Sequence, residues 1–458
     1  MSSTPRRRGR RLVERTLSDI GRLEATHRTL LYVSVDALQP DPSNPRKHSQ
    51  EQIRALALSI KEFGFNAPIL AKRGGYILGG VGRWLAAKEL GLQRVPVIYL
   101  DDLTAEQARA YMLADNQLAK RSSDDEHKLA IHLKELSELS LDFEIEATGF
   151  ERPEIDFLIQ SLDTPEVIAA EDTFSAPKGP AVARVGDLIL AGKNRLYCGS
   201  ALDAQAYDIV LDSAKASVVF SDPPYDVPIV GNVSGTGRHR EFVMGSGEMT
   251  SPQFTSFLTQ FLSHCKCHSV AGAFQYVCMD WRHHFELGAA GQDAGLSLFN
   301  LCVWVKPNGG MGSFYRSRHE FIFVFKNGDA PHINNVQLGR FGRNRTNVWN
   351  YPGANSFPRK GQARTLDLHP TVKPIAMVQD AILDSTHGGD LVLDPFLGSG
   401  TTLLAAERTG RRFAGIELDP LYVDTAIMRW EKMTGQRARL ASSGKTFARV
   451  RAERGVGP

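Results

Sequence analysis

Four consecutive residues in the second half of the chain combine a carboxylate, two prolines and an aromatic ring. The segment Asp222-Pro223-Pro224-Tyr225 directly follows residues 217–220, an apolar run of the type that forms buried strands. Ligands of open α/β sheets bind beyond the carboxyl ends of the strands. The segment is therefore predicted to line a ligand site, although a strand followed by a plain proline turn would give the same pattern.

These residue types suit chemistry on the exocyclic amine of a nucleobase. Such an amine is a weak nucleophile because its lone pair is delocalised into the ring. The Asp222 carboxylate and the carbonyl of the Pro223 peptide can each accept one of its N–H bonds, which favours a pyramidal nitrogen. The prolines fix the direction of the carbonyl because their φ is locked, and Tyr225 can stack on a base that has been flipped out of a helix. We therefore predict that Asp222, Pro223, Pro224 and Tyr225 form the catalytic site.

A glycine-rich segment further along the chain has the form of a cofactor turn. A strand is predicted for residues 390–393, and Asp394 begins a turn that contains Gly398 and Gly400 and leads into a helix. Glycines between a strand and a helix let a ligand approach the backbone closely. The next strand ends in Glu417, where an acidic residue can bind ribose hydroxyls. Together these features predict a site for a cofactor that contains adenosine.

Alternating elements place both segments in one domain. Short apolar strands alternate with helical segments over residues 182–435, which predicts a doubly wound, Rossmann-like α/β sheet. A smaller α+β unit is predicted for residues 30–162, and the polar, proline-containing residues 163–181 are predicted to be a linker. Since this linker has few large apolar residues, we expect a chain that begins near Ala181 to fold on its own.

The catalytic and glycine-rich segments resemble those of a known enzyme family. Residues 222–225 are similar to the catalytic motif of DNA amino-methyltransferases, residues 394–400 are similar to their cofactor motif, and the order resembles the circularly permuted beta-type class. The resemblance implies a site-specific enzyme, of the restriction-modification type, that transfers a methyl group from S-adenosylmethionine to double-stranded DNA. It assigns the following residues to the methyl donor: Asp394, Pro395, Phe396, Gly398, Gly400, Thr401, Glu417, Asp203 and Lys373.

The resemblance leaves a choice of target base. It favours N6 of adenine, because enzymes that methylate N4 of cytosine more often carry serine at the position of Asp222. The alternatives are N4 of cytosine and a ParB-like DNA-binding or regulatory protein without turnover. Residues 327–368 resemble the target-recognition region, and their arginines suit phosphates and guanine edges. An ordinary solvated loop would have the same composition.

The smaller predicted unit resembles the N-terminal domain of ParB-type partition proteins. The similarity rests on residues 44–47, 80–87 and 113–116. The partition family usually has a glutamate and two adjacent arginines in the second segment, whereas this chain has Val81 and Gly82 before Arg83, so nucleotide hydrolysis is not implied. Arg83 beside the glycine turn could still hold a phosphate. Whether the unit binds a nucleotide, and whether the chain forms a homodimer, is left open.

Charge and composition set the remaining expectations. The net charge is only +3, but basic residues crowd residues 1–29 and 436–458, which suggests tails that follow DNA phosphates or lie in solvent. No apolar run is long enough for a membrane span, so we expect a cytoplasmic, nucleoid-associated protein without a membrane partner. Five cysteines predict no disulfide framework, and the close spacing of cysteine and histidine in residues 264–268 argues against a metal site.

Overall fold

The computed structural model describes residues 28–139, 141–163, 179–226, 247–307, 309, 314–352 and 373–456. The chain divides into two units. The small unit comprises Met1–Asp125 and Leu139–Glu151, and the large unit comprises Glu126–Glu138 and Arg152–Pro458. Among the helices of the described residues, none is long and apolar enough to cross a membrane.

The small unit contains a five-stranded mixed sheet and three main helices. Its strand order is β1-β5-β3-β4-β2, which confirms the α+β prediction. Along the chain the elements are β1 (Leu30–Ser34), β2 (Gln39–Pro40), α1 (Gln50–Phe63), β3 (Ile69–Ala71), β4 (Tyr76–Gly79), α2 (Val81–Glu89), β5 (Arg94–Tyr99) and α3 (Ala105–Leu118).

Local hydrogen bonds determine where the helices of the small unit begin. The hydroxyl of Ser49 accepts from the backbone N–H of Gln52 at the start of α1, at 3.1 Å. Helix α2 begins at Gly80, whose φ of 95° lies in the left-handed region that favours glycine. The indole of Trp84 then donates to the carbonyl of Val35 at 2.9 Å, which holds α2 against the sheet.

The large unit is built on a ten-stranded sheet. Two helices precede it, α4 (Glu126–Glu138) and α5 (Arg152–Gln160). The following elements are β6 (Leu188–Ala191), β7 (Asn194–Cys198), α6 (Ala204–Leu211), β8 (Ala216–Ser221), α7 (Ser251–Cys267), β9 (Ser269–Met279), α8 (His284–Asp293), β10 (Ser297–Val305), β11 (His319–Lys326), β12 (Val348–Asn350), α9 (Ile375–Ser385), β13 (Leu391–Asp394), α10 (Thr401–Arg408), β14 (Arg412–Glu417), α11 (Pro420–Thr434), β15 (Arg439–Leu440) and α12 (Phe447–Glu453).

The centre of the large sheet is parallel and its flanks are partly antiparallel. The order is β12-β10-β11-β9-β8-β13-β14-β7-β6-β15. Strands β9, β8, β13, β14 and β7 all run in one direction, which confirms the doubly wound prediction for the centre. Strand β11 is antiparallel to β9 and β10. The start of β11 therefore lies at the same edge as the carboxyl ends of the central strands.

Two apolar layers cover the two faces of this sheet. Alternate residues of β8 enter different layers, because successive side chains of a strand point to opposite faces. Val219 packs with helices α6, α7 and α8, whereas Val218 and Phe220 pack with α9, α10 and α11. The sheet is therefore buried on both faces, and its edge is where the chain can bind ligands.

The boundary between the predicted domains differs from the division in the structure. Helix α5, placed by the sequence in residues 30–162 of the smaller domain, belongs to the large unit because its polar side chains enter that unit. Asp156 accepts two hydrogen bonds from the fully buried Arg411, at 2.9 and 2.7 Å. Asp163 accepts from Arg408 at 2.7 Å. The remainder of the predicted linker lies mostly outside the described residues.

The predicted basic tail at residues 436–458 is instead packed against the large unit. Phe447 and Val450 of α12 are buried in its apolar layer. Arg454 donates to both carboxylate oxygens of Asp187 and to the carbonyl of Val182. These apolar and charged contacts hold the segment in place, and Asp187 neutralises the charge of Arg454. The basic residues of the predicted segment 1–29 lie outside the described residues apart from Arg28.

Candidate active site

The predicted catalytic segment lies at the carboxyl end of β8. Pro223 is buried, Pro224 and Tyr225 are half-buried, and the Tyr225 hydroxyl donates to Asp222 Oδ1 at 2.7 Å. The ammonium group of Lys373 lies 2.6 Å from Asp222 Oδ2. The structure thus fixes both oxygens of the Asp222 carboxylate, one by a phenol and one by a cation.

A second carboxylate, that of Glu320 at the start of β11, completes this cluster. Its Oε2 lies 3.2 Å from Lys373 Nζ and 3.1 Å from the hydroxyl of Tyr225. Its Oε1 accepts from Lys306, which follows β10. The Tyr225 hydroxyl therefore has two carboxylate acceptors within reach, Asp222 and Glu320.

Burial and charge set the protonation states in this cluster. Burial alone would raise the pKa of Glu320, but Lys373 and Lys306 outweigh burial and lower the pKa to about 2. Burial raises the pKa of Asp222, and the charge of Lys373 opposes that rise. The two carboxylates raise the pKa of Lys373 despite its burial. Lys373 and Glu320 are therefore ionised at neutral pH, and the nearby cation favours the ionised form of Asp222.

The glycine-rich turn lies beside the catalytic segment, because β13 pairs with β8 in the sheet. Asp394 ends β13 in a buried position. Its Oδ1 accepts from the backbone N–H of Phe396 at 3.0 Å, and its Oδ2 accepts from the hydroxyl of Thr402 at 2.7 Å. Burial raises the pKa of Asp394 to about 7, and the negative charge of Asp222 contributes to that rise.

Glu417 connects the next strand to the same turn. Its Oε2 accepts from the backbone N–H of Gly398 at 2.8 Å, and its Oε1 accepts from that of Asp419 at 2.8 Å. Burial raises the pKa of Glu417 to about 7. The carboxylate predicted to bind ribose is therefore in direct contact with the glycine-rich turn, as the spacing of the two motifs requires.

The rest of the turn packs tightly on its surroundings. Gly400 has a φ of 90°, and a Cβ atom there would approach the Cβ atom of Ala426 to 2.7 Å. Pro395 is buried, and Thr401 is the first residue of α10. The ring of Phe396 contacts the rings of Phe257 and Phe261, with centroids 5.9 and 5.1 Å apart. These contacts fix the conformation of the turn, and the ring of Phe396 packs on the aromatic side chains of α7.

Two residues that the resemblance assigned to the methyl donor have other contacts in the structure. Lys373 contacts the carboxylates of Asp222 and Glu320 instead of the glycine-rich turn. Asp203 is exposed at the start of α6, where its carboxylate accepts from the backbone N–H of Gln205 at 3.0 Å. It follows β7, which pairs with β14 beside Glu417. Both residues lie at the same sheet edge as the turn.

Three residues of this site were not predicted from the sequence, namely Glu320, Lys306 and Trp304. Trp304 is nearly fully buried, and the ammonium groups of Lys306 and Lys373 lie 4.6 and 5.9 Å from its ring centroid. One signal was available for Glu320: it precedes five apolar residues of a strand, and a buried acid in such a position needs a partner. The identity of that partner depends on tertiary contacts.

Two arginines of the predicted recognition region are structural in this fold. Arg343 is buried and donates to Asp384 at 2.8 Å, and Arg345 donates to Asp380 at 2.7 Å. Arg343 also donates to Gln160 of α5. Their charge is neutralised by helix α9, so these two side chains are not available to phosphates or guanine edges. The recognition residues 353–368 lie outside the described residues.

Within residues 264–268, Cys265 is buried in the core and Cys267 is exposed. The ring of His268 stacks on Tyr207 with centroids 5.1 Å apart, and the thiol of Cys265 lies 4.0 Å from the Tyr207 hydroxyl. Within the described part of the chain, no cluster of three or more His, Cys, Asp or Glu side chains could hold a metal ion.

In the small unit, the predicted phosphate-binding arginine is half-buried. Arg83 Nη2 donates to the carbonyl of Pro68 at 3.2 Å. Its Nε is buried without a hydrogen-bond partner among the described residues. Burial lowers the pKa of Arg83, and the negative charge of Asp115 opposes this. Nearby, Arg46 donates to the amide oxygen of Asn116 at 2.8 Å, which joins two of the segments that resemble the partition family.

Comparison with known families gives three domain matches along the chain. Residues 21–117 match a ParB N-terminal domain, residues 127–185 match a ParB-methyltransferase helix-turn-helix domain, and residues 216–428 match a DNA methylase domain. The second match contains α4 and α5, which the structure places in the large unit.

Individual proteins are similar over about half of the chain. The type II methyltransferase M2.MboI of Moraxella bovis is 23% identical over 52% of this chain and 88% of its own length. M2.DpnII of Streptococcus pneumoniae is 29% identical over 47% of this chain and 82% of its own length. A crystal structure of M1.HpyAVI in complex with S-adenosylmethionine matches 51% of this chain and 97% of its own chain, with 21% sequence identity and a TM-score of 0.38. The three matches show that a DNA methylase domain follows ParB-type N-terminal and helix-turn-helix domains along this chain.

Proposed function

We propose that the enzyme methylates N6 of adenine in double-stranded DNA, with Asp222, Pro223, Pro224 and Tyr225 as its catalytic residues. The observation that carries this proposal is the adjacency of two sites at one sheet edge. Asp222 follows β8, and Asp394 ends the neighbouring strand β13. A base amine held by Asp222 would therefore lie next to a methyl donor held by the glycine-rich turn. The carboxylate of Asp222, where serine would favour cytosine, supports adenine as the target.

Asp222 activates the amine by accepting one of its N–H bonds, and the carbonyl of the Pro223 peptide accepts the other. The nitrogen lone pair then points out of the base plane towards the methyl donor. When bound, S-adenosylmethionine supplies a methyl group activated by a positively charged sulfur. The nitrogen becomes acidic once it carries a fourth bond, and Asp222 can take its proton. Burial raises the pKa of Asp222, which suits a carboxylate that accepts a proton and returns it to solvent.

Tyr225 can release Asp222 Oδ1 when the amine binds there. Its hydroxyl lies 2.7 Å from Asp222 Oδ1 and 3.1 Å from Glu320 Oε2, so a small movement exchanges one acceptor for the other. Lys373 meanwhile keeps Asp222 Oδ2 in place. Glu320 and Lys373 thus act as positioning residues, since they act through Asp222 and Tyr225.

The cofactor residues are proposed from the chemistry of the turn. Glu417 offers carboxylate acceptors for ribose hydroxyls, and Phe396 offers an apolar ring. Asp394 fixes the conformation of the turn through Phe396 and Thr402. The backbone at Gly398 has no side chain, so a ligand can approach it closely. Pro395, Gly400, Thr401, Asp203 and Lys373 complete the proposed surroundings of S-adenosylmethionine.

The small unit is proposed to hold a phosphate group of a nucleotide. The observation that favours this is the buried Arg83 Nε without an acceptor, next to the start of helix α2 at Gly80. Calorimetry with nucleoside triphosphates tests it: binding by the protein and its loss in Arg83→Ala support the site, and unchanged binding by the variant contradicts it.

Homodimer formation, and action on cytoplasmic, nucleoid-associated DNA, are further proposals. Light scattering of the protein with and without DNA tests the first, and imaging of a fluorescent fusion tests the second.

Methyl transfer by Asp222→Asn tests the catalytic assignment. We expect this variant to lose transfer of labelled methyl groups to DNA and to keep its S-adenosylmethionine affinity within several-fold. Asp280→Asn is the matched control, because Asp280 follows β9 at the same sheet edge but pairs with Arg282. Substantial turnover by Asp222→Asn, or an equal loss in both variants, would contradict the assignment.

A further inference from the structure

Two adjacent aromatic side chains between β10 and β11 are almost fully exposed. Phe314 and Tyr315 have relative exposures of 84% and 87%, the highest of any aromatic residues in the described part of the chain. Their rings pack on each other, with centroids 4.3 Å apart. Two large rings that are this exposed present apolar surface that a binding partner would cover.

The base of the segment that carries these rings belongs to the active site. The backbone N–H of Lys306 donates to the carbonyl of Arg318 at 2.7 Å, which brings the two ends of the segment together. The side chain of Lys306 binds Glu320, which in turn contacts Lys373 and Tyr225. The ring pair is therefore anchored at the edge where the catalytic Asp222 lies.

The charge of this segment suits a nucleic acid. Residues 306–318 include no acidic residue and carry Arg316 and Arg318 in addition to Lys306, whose charge is paired with Glu320. The guanidinium of Arg318 donates to the carbonyl of Lys306 at 3.1 Å, so its position is fixed while its charge is not neutralised by that carbonyl. A cationic segment with exposed aromatic rings combines phosphate attraction with a stacking surface.

We propose that Phe314 and Tyr315 enter the DNA duplex at the target site and stack in the gap that the flipped adenine leaves. This inference rests on the proposed function, because an enzyme that acts on a base amine in a duplex must extrude the base. Flipping breaks the stacking of the target base, and a ring pair inserted in its place restores part of that stacking. The proposed catalytic Tyr225 stacks on the flipped base itself, so the two exposed rings are left for the duplex.

The test compares two DNA duplexes that differ only at the target. One carries the mapped recognition sequence with the target adenine paired, and the other carries a mismatched base opposite that adenine, which lowers the cost of flipping. The full-length variant Phe314→Ala/Tyr315→Ala should methylate the paired duplex roughly ten-fold or more slowly than the parent enzyme. On the mismatched duplex its rate should return to within about three-fold of the parent enzyme.

Leu298→Ala is the matched control, since Leu298 is 54% exposed at the opposite end of strand β10. We expect this control to resemble the parent enzyme on both duplexes. Thermal unfolding and S-adenosylmethionine binding should be unchanged in the ring variant, because the rings support no core. Equal loss on both duplexes, or no loss on either, overturns the inference. A parent enzyme that methylates neither duplex overturns the proposed function instead, and the inference with it.

Discussion

The ammonium group of Lys373 lies 2.6 Å from Oδ2 of Asp222, although 151 residues separate the two in the chain. The side chain of Lys373 is only 4% exposed. The lysine precedes the glycine-rich turn in sequence but contacts the carboxylate of Asp222 in space. A buried cation therefore joins Asp222 to Glu320 and opposes the tendency of burial to keep Asp222 protonated.

Replacing Lys373 by glutamine should shift the acidic limb of the activity profile upwards in pH. Lys373 lowers the pKa of Asp222, so its removal leaves burial unopposed and the pKa of Asp222 rises. The ionised carboxylate is the form that accepts the amine, so activity should be lost at a higher pH as the pH falls. Profiles of kcat for the parent enzyme and Lys373→Gln measure this. An acidic limb at the same pH in both would show that Lys373 does not act through Asp222.

Glu320→Gln should lower kcat by roughly 10- to 100-fold while S-adenosylmethionine affinity stays within several-fold. The carboxylate binds Lys306 and Lys373 and offers the second acceptor to Tyr225. Its loss leaves the half-buried Lys306 without this carboxylate and the buried Lys373 with Asp222 as its remaining carboxylate partner. Glu286→Gln serves as the control, because Glu286 lies on α8 and accepts from Ser251. A normal kcat for Glu320→Gln would remove this residue from the account.

Cofactor affinity should depend on pH through Glu417. Burial raises the pKa of Glu417 to about 7. Ribose hydroxyls donate to a carboxylate better than to a carboxylic acid, so binding should strengthen by about tenfold from pH ~6 to pH ~8. Calorimetry at several pH values should show this slope in the parent enzyme and a flat profile in Glu417→Gln. Asp394 also has a pKa of about 7, so a slope that survives in Glu417→Gln but vanishes in Asp394→Asn would assign the effect to Asp394.

The large unit should require helix α5 for its stability. Arg411 is fully buried and bonds both oxygens of Asp156. Asp156→Ala leaves this charge without its carboxylate and should lower the free energy of unfolding by roughly 3–5 kcal/mol. Glu453→Ala, which removes an exposed partner of Lys445, should change it little. Denaturant unfolding followed by tryptophan fluorescence compares the two variants, and similar midpoints would show that α5 is dispensable.

This contact also revises the expectation that a chain beginning near Ala181 folds on its own. Such a chain lacks Asp156 and Gln160, the partners of Arg411 and Arg343. We expect it to be less stable than a chain that begins at Glu126, the first residue of the large unit. The polar composition of residues 163–181 gave no indication that the large unit depends on α5. Composition indicates whether a segment can act as a linker, but it does not indicate which residues the preceding helix contacts.

The sequence indicated which site residues lie together where each motif stands at the end of a predicted strand. Each predicted motif follows a parallel strand directly, so the sheet brings Asp222, Asp394 and Glu417 to one edge. The spacing between Gly398 and Glu417 likewise led to a direct contact. The starts of α1 and α3 also depend on local sequence, because Ser49 and Thr104 each accept a hydrogen bond from the backbone N–H three residues later.

Contacts that depend on tertiary register were not accessible in the same way. Glu320 reaches the site only because β11 runs antiparallel to its neighbours and begins at the catalytic edge. Arg343 and Arg345 occur in an arginine-rich segment, which suggested a DNA surface. Their partners Asp380 and Asp384 lie on adjacent turns of helix α9. Pairing between segments distant in sequence decided the role of each of these side chains.

The most direct test of the account is the identity of the methylated base. Duplex DNA is incubated with the full-length enzyme and isotopically labelled S-adenosylmethionine, digested to nucleosides and analysed by mass spectrometry, with Asp222→Asn as the control. The account predicts labelled N6-methyladenine with the parent enzyme and none with the variant. Labelled N4-methylcytosine, or label in DNA that does not depend on Asp222, would contradict it.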